Sequence, residues 1–255
     1  MSLKYRHVMA SYKKAVGGIT APTDIAGCKL WLDFSDADTL FTDAGSTKVS
    51  ADGQAIYQAN DKSGEGNNAL QSLETDRPLY KTNVKNSLSV SRFDGANSMM
   101  LLTGMTVAAG SFTFFFVYDN NETLDASSSA SGYLLDIQTG RFICAPVTGS
   151  ATYKEVAWYD GSWHDIADAI NGWQTNIFHF TSGGNGVVYR NGSSIGSDSY
   201  SEQAIGDAIG LGAKYDTTSP FVKGDIGSVI AYNTALSDAN RQSVETYLNN
   251  KWSIY

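Results

Sequence analysis

Residues 112–118 read Phe-Thr-Phe-Phe-Phe-Val-Tyr. Successive side chains of a strand point to opposite faces, so Phe112, Phe114, Phe116 and Tyr118 share one face while Phe115 and Val117 share the other. A strand that is apolar on both faces has to be covered on both. The segment therefore reads as a central strand, and the rest of the chain has to supply its neighbours and its two covers.

Strand signals surround it. Residues 29–33 alternate, with Leu30 and Leu32 on one face. Residues 88–93 end at the turn dipeptide Asp94-Gly95, and 99–102 follow. Residues 133–137 and 141–144 flank Thr139-Gly140, the expected turn of a hairpin. Residues 175–180 and 186–190 form a further pair, and Asn191-Gly192 supplies the positive φ angles of a tight turn. Residues 209–212 and 221–232 complete the set, whereas 35–87 read mostly as loop. The 25 glycines and only 4 prolines fit many short strands joined by Gly, Asn and Ser turns. One helix is expected after Ser237, a good N-cap, with Val244, Leu248 and Trp252 forming an apolar stripe at i, i+4, i+8. Asp238 and Lys251 suit its dipole, and its place is over part of a sandwich. A chain of 255 residues is long enough for one large all-β domain.

Charge is unevenly distributed. The net charge is −8, yet residues 1–20 carry Lys4, Arg6, Lys13 and Lys14 and no acid, leaving −12 on the remainder. An acidic chain disfavours nucleic-acid binding, because phosphates repel it. Residues 1–27 are expected to form a basic N-terminal arm and linker, with the domain over 28–255. The arm reads either as a solvated terminus or as a docking element that orders on a partner. It has no apolar run of signal-peptide length, and no segment is long enough to span a membrane, so a soluble chain outside the ordinary secretory route is expected. Cys28 and Cys144 are too far apart in sequence for a zinc motif and read as two buried free thiols, with a disulfide as the alternative.

In order along the chain, LWLDFSDADTL (30–40), DKSGEGNNALQ (61–71), RPLY (77–80), SVSRFDG (89–95), SFTFFFVY (111–118), GVVYRNGSSIG (186–196) and the block 223–252 resemble the concanavalin A-like, laminin-G-like jelly-roll domains of phage structural and bacterial surface proteins. The resemblance covers about residues 28–252. It implies an all-β jelly-roll sandwich of two antiparallel sheets with one C-terminal helix, a glycan-binding face in many members, and often a structural calcium. The calcium ligands it implies are Asp61, Asn67 and an acid on the last long strand. Here that acid is Asp225, just before Ile226-Gly227-Ser228-Val229, so its use requires a shifted geometry or a bulge. The competing reading of 61–69 is a Gly-rich turn held by Asx-type hydrogen bonds.

Some jelly rolls of this kind hydrolyse glycans with paired carboxylates, which alternatively makes the chain a hydrolase or lyase. None of the six glutamates begins an E-x-D-x-x-E arrangement, and the pairs Asp36/Asp38 and Asp165/Asp168 read as solvated turns. Ser162, His164 and Asp165 are not expected to form a triad, because neighbouring residues of an extended segment point apart. His179, between Phe178 and Phe180, reads as a half-buried structural histidine. No catalysis is expected. The best ligand candidate is AWYDGSWHDIADAINGW (157–173), with Tyr159, Trp163, His164 and Asp165 as glycan-binding or interface residues. The expected function is a noncatalytic virion or surface-displayed protein, oligomeric in its assembly, with cell-surface polysaccharide as a partner. A stand-alone extracellular adhesin is the alternative.

Overall fold

The computed structural model describes residues 18–120, 132–138, 142–150, 153–204, 206, 208–217 and 221–255. Lys4, Arg6, Lys13 and Lys14 lie outside the described residues, as does the expected turn at Thr139-Gly140. In chain order the strands are β1 (Cys28–Asp33), β2 (Leu40–Phe41), β3 (Gln58–Ala59), β4 (Ala69–Leu70), β5 (Leu79–Lys85), β6 (Leu88–Asp94), β7 (Met100–Thr103) and β8 (Phe112–Asn120). They continue with β9 (Leu135–Ile137), β10 (Phe142–Ser150), β11 (Tyr153–Tyr159), β12 (Trp163–Asp168), β13 (Gly172–Thr181), β14 (Asn185–Arg190), β15 (Ser193–Ser199), β16 (Ala208–Leu211) and β17 (Lys223–Tyr232). The helix α1 (Asp238–Trp252) closes the chain.

These strands build two antiparallel sheets. The first has the order β15-β14-β13-β8-β17-β6-β5, with β1 also paired to β17. The second runs β12-β11-β10-β9-β16-β7-β4-β3-β2. The result is the expected all-β jelly-roll sandwich with one C-terminal helix. β8 is central, between β13 and β17. Phe112, Phe114, Phe116 and Tyr118 enter the core between the sheets, while Phe115 and Val117 enter a second cluster beneath α1. Each fully buried Phe contributes about 1.5–3 kcal/mol. Thr113, the polar exception on the outer face, donates its hydroxyl to Thr234 O at 2.9 Å and accepts the Leu236 N–H at 3.1 Å.

The helix forms as its sequence predicts. The Ser237 hydroxyl accepts the Asn240 N–H, and Val244, Leu248 and Trp252 are buried. Trp252 donates its indole N–H to Ser228 Oγ at 3.2 Å and stacks on Trp173. Lys251 does more than complement the helix dipole, because its ammonium reaches Asp33 on β1 at 2.5 Å. Burial works against the Asp33 carboxylate, yet Lys251, Ser35 and Lys62 outweigh it and hold the group below the usual carboxylate range.

Several local expectations change. Residues 18–27, read as linker, are packed onto the domain: Pro22 and Ile25 are buried, and Tyr232 donates its hydroxyl to Pro22 O at 2.8 Å. The span 35–87 is not only loop, since it contributes β2 to β5. Asp165 and Asp168 sit on edge strand β12 rather than in a turn. Asn191 and Gly192 both have positive φ (50° and 82°) and join β14 to β15 as expected. Cys28 is a buried free thiol, with its pKa pushed up to about 12 chiefly by burial and next by the Asp61 charge. His179 is half-buried, its Nε2 3.0 Å from Leu236 O. Among the described residues, no helix is long and apolar enough to cross a membrane.

Candidate functional site

β11 and β12 form a hairpin at the edge of the nine-stranded sheet, with Tyr159 opposite Trp163 and Ala157 opposite Asp165. Strand alternation sends Val156 and Trp158 into the core and leaves Tyr159, Trp163 and Asp165 on the outer face. Of the five tryptophans, Trp31, Trp158 and Trp252 are buried and Trp173 is half-buried, whereas Trp163 is 42% exposed. Its ring meets Tyr159 edge-on with centroids 5.3 Å apart, and the tilted Tyr133 ring lies 6.2 Å from it. Tyr133 was not singled out from the sequence. The exposed Asp165 carboxylate lies two residues along the same strand face. An aromatic step beside a carboxylate offers an apolar platform with an adjacent hydrogen-bond acceptor.

His164 does not share that face. It is 8% exposed, pairs in register with Trp158, and stacks on that indole at 5.0 Å. Its Nε2 lies 3.0 Å from Asp160 Oδ1 and 3.2 Å from Ser162 Oγ, and its Nδ1 lies 3.0 Å from Asp198 Oδ2 on β15. Burial opposes protonation of this ring, but hydrogen bonds and charge from Asp198 and Asp160 outweigh it and hold the pKa above the ordinary histidine value. Ser162 reaches His164 from the turn before β12, and residues two apart in an extended segment share a side, whereas the adjacent Asp165 points the other way. Asp165 does not join them. A base that accepts the Ser162 proton needs a free imidazole nitrogen, and here each ring nitrogen faces a carboxylate. The arrangement favours a held imidazolium. Asp160 and Asp198 were invisible as partners in the sequence, the latter lying 34 residues from His164.

The Asp61 loop has a definite structural task. Asp61 Oδ1 accepts the N–H groups of Trp31 (2.9 Å) and Ser63 (2.8 Å), while Oδ2 accepts the Ser63 hydroxyl (2.6 Å) and the Asn67 N–H (3.0 Å). A carboxylate has about four lone-pair sites, so these four bonds occupy it. Asn67 donates its amide to Lys29 O at 2.7 Å, and Asn68 Oδ1 accepts the Asp61 N–H. Asp225 is elsewhere: its buried carboxylate grips Arg92 through two 2.7 Å bonds. Trp31 is in register with Ile230, so Asp225 lies five residues away along β17, roughly 15 Å. A bulge, one of the two devices such a site would require, is present between Ile226 and Ser228, but it does not bring Asp225 to the loop. The donor set Asp61, Asn67 and Asp225 does not fit a calcium cage, which requires several oxygens converging at 2.3–2.6 Å. Among the described residues, no cluster of three or more His, Cys, Asp or Glu side chains could hold a metal ion.

No protein-family model and no curated protein sequence matches the chain. Solved structures do match. Domain 4 of AbnA, a GH43 extracellular arabinanase from Geobacillus stearothermophilus solved in complex with arabinotriose, shares 14% identity over 86% of this chain and 97% of that one, with a TM-score of 0.58. The binding domain of Paraclostridial Mosquitocidal Protein 1 shares 14% identity at a TM-score of 0.60, over 91% of this chain. The botulinum neurotoxin serotype D binding domain shares 11% at 0.55, over 86%. The alignments span 53% and 50% of those two toxin chains, about half their length. At these identities the likeness is one of fold: the chain is a jelly-roll-like β-sandwich of the architecture found in these binding domains.

Proposed function

We propose that the chain is a noncatalytic carbohydrate-binding module of the concanavalin A-like kind, displayed on a virion or cell surface, with Tyr159, Trp163 and Asp165 as its ligand face. The observation that carries this reading is Trp163, a 42% exposed indole held by two tyrosines on an outer sheet face. Sugars stack their C–H faces on such rings while carboxylates accept their hydroxyls. The neighbours support the class: one is an arabinanase domain solved with arabinotriose, and others are named as binding domains. The clamped His164 supports a binding role over hydrolysis.

On a glycan array the protein should bind a defined set of neutral oligosaccharides. Trp163→Ala should weaken that binding about tenfold, the equivalent of roughly 1.4 kcal/mol, and change stability by less than about 1 kcal/mol. A blank array, or unchanged binding by the variant, refutes the proposal.

Display on an assembly rests on a separate observation, the +4 charge of residues 1–20 in a chain of net −8. Lys4, Arg6, Lys13 and Lys14 would dock the module onto an acidic partner surface. Deleting residues 1–17 should abolish incorporation into the particle and leave the domain folded. Normal incorporation of the truncated protein would favour the stand-alone adhesin.

A further inference from the structure

The chain contains three Asn-Gly pairs, at 171–172, 185–186 and 191–192. Such a pair can react with itself, because the main-chain nitrogen of the glycine can attack the asparagine Cγ and no glycine side chain hinders the approach. Ring closure needs a free side-chain amide, a main chain able to bend, and room for a five-membered ring. The fold denies these conditions to two of the pairs and grants them to the third.

Asn185 and Gly186 lie in β14, which is paired on both sides. Gly186 is opposite Phe180 on β13 and Asp198 on β15, so two ladders hold it extended. A Cβ on Gly186 would sit 2.7 Å from the Trp158 ring and 2.8 Å from the Phe180 ring, which leaves no space for a new ring. Asn191 is pinned at the β14–β15 turn. Its Oδ1 accepts the Thr175 N–H at 2.9 Å, and its own N–H donates to Thr175 O at 3.0 Å. The Tyr255 ring covers Gly192, 3.4 Å from where a Cβ would stand.

Asn171 and Gly172 occupy the connection from β12 to β13. Asn171 is exposed, and its amide has no partner among the described residues. Gly172 has φ 92°, and no atom lies within 4 Å of where its Cβ would stand. It opens β13 and is paired on one side only, to Asn120. Just before the pair the main chain is anchored. Asp168 O accepts Arg190 Nη2 at 2.8 Å, and Ile170 O accepts Gln174 Nε2 at 3.0 Å. The connection is therefore held in place while its tip is free to bend.

We propose that Asn171 is a self-modifying site of the folded protein. The Gly172 nitrogen loses its proton to hydroxide and bonds to Asn171 Cγ. The Cγ–Nδ2 bond breaks, ammonia leaves with a proton from water, and a succinimide remains. A water molecule then opens the ring at one of its two carbonyls, giving aspartate or isoaspartate. The product adds one negative charge to a chain of net −8. Isoaspartate also lengthens the main chain by one methylene between the Ile170 anchor and β13. The site does not depend on the Trp163 reading.

The test is incubation of the full chain in mildly alkaline buffer, folded and in urea, with peptide mass spectrometry and isoaspartate detection at all three pairs. In the folded protein Asn171 should convert at least tenfold faster than Asn185 and Asn191. In urea, which removes the ladders and the packing, that gap should collapse. Asn171→Gln, whose longer side chain would have to close a six-membered ring, should suppress most of the ammonia released by the folded protein without moving the melting curve. The proposal is overturned if Asn171 converts no faster than the other pairs in the folded protein. It is equally overturned if its lead persists in urea, since the local sequence and not the fold would then set the rate.

Discussion

His164 Nδ1 lies 3.0 Å from Asp198 Oδ2, and that contact ties the edge strand of one sheet to the edge strand of the other. The strands approach closely here, since a Cβ on Gly196 would sit 2.7 Å from Ile166 Cγ2. The folded-state pKa of His164 is raised, so its contribution to stability is fully present below the unfolded value of about 6.5 and is lost as pH rises through the raised value. His164→Gln should therefore cost on the order of 2 kcal/mol at pH 5.5 and distinctly less at pH 9. Urea midpoints of both proteins across that range test this. A gap that does not change with pH would show that the ring is not charged.

The Arg92–Asp225 pair should respond asymmetrically. Asp225 is 1% exposed, whereas the Arg92 side chain is 42% exposed. Arg92→Leu removes a bidentate cationic partner from a buried carboxylate and should cost about 3 kcal/mol or more. Asp225→Asn leaves a guanidinium that water can reach and should cost about 1 kcal/mol. Equal losses in denaturant unfolding would contradict this account.

Asp61→Ala removes four accepted hydrogen bonds and leaves the Trp31 and Asn67 N–H groups without their partner. The expected loss is about 2–3 kcal/mol. Because the loop is held by its own hydrogen bonds, melting with and without EDTA should coincide. A fall of several degrees in chelator would reveal a rearranged cation cage.

Gly227 sits at the β17 bulge, and a Cβ there would lie 2.8 Å from the Trp252 ring. Gly227→Ala should cost about 1–3 kcal/mol through overpacking. Trp252→Leu in the same chain should recover part of that loss, a coupling that a double-mutant cycle detects.

What the sequence made legible was whatever depends on local alternation. The two-faced run in β8, the Asn191-Gly192 turn and the Ser237 cap each carry their own signal. Tyr159 and Trp163 were noticed as aromatic candidates, but their pairing across β11 and β12 carried no local signal. The strands from 153 to 168 were harder to see, because Asp160, Gly161, Ser162 and Asp165 imitate a loop. Asp198 and Tyr133 were missed because only the closure of the sandwich brings them to His164 and Trp163. Asp61 was noticed for the right chemistry, a concentration of oxygen ligands, but its carboxylate is taken up by the N–H groups of Trp31, Ser63 and Asn67 and by the Ser63 hydroxyl.

Trp31 belongs to β1, which pairs with β17 on one side only. On its open side the Trp31 N–H goes to Asp61, the Trp31 carbonyl accepts the Lys62 N–H at 2.9 Å, and the Lys29 carbonyl accepts the Asn67 amide. An open strand edge is a template on which a foreign strand can add, the route to aggregation and domain swapping. The Gly-rich loop blocks that template with contacts too irregular for another chain to copy. Two copies of the chain are thereby kept from zipping together through β1.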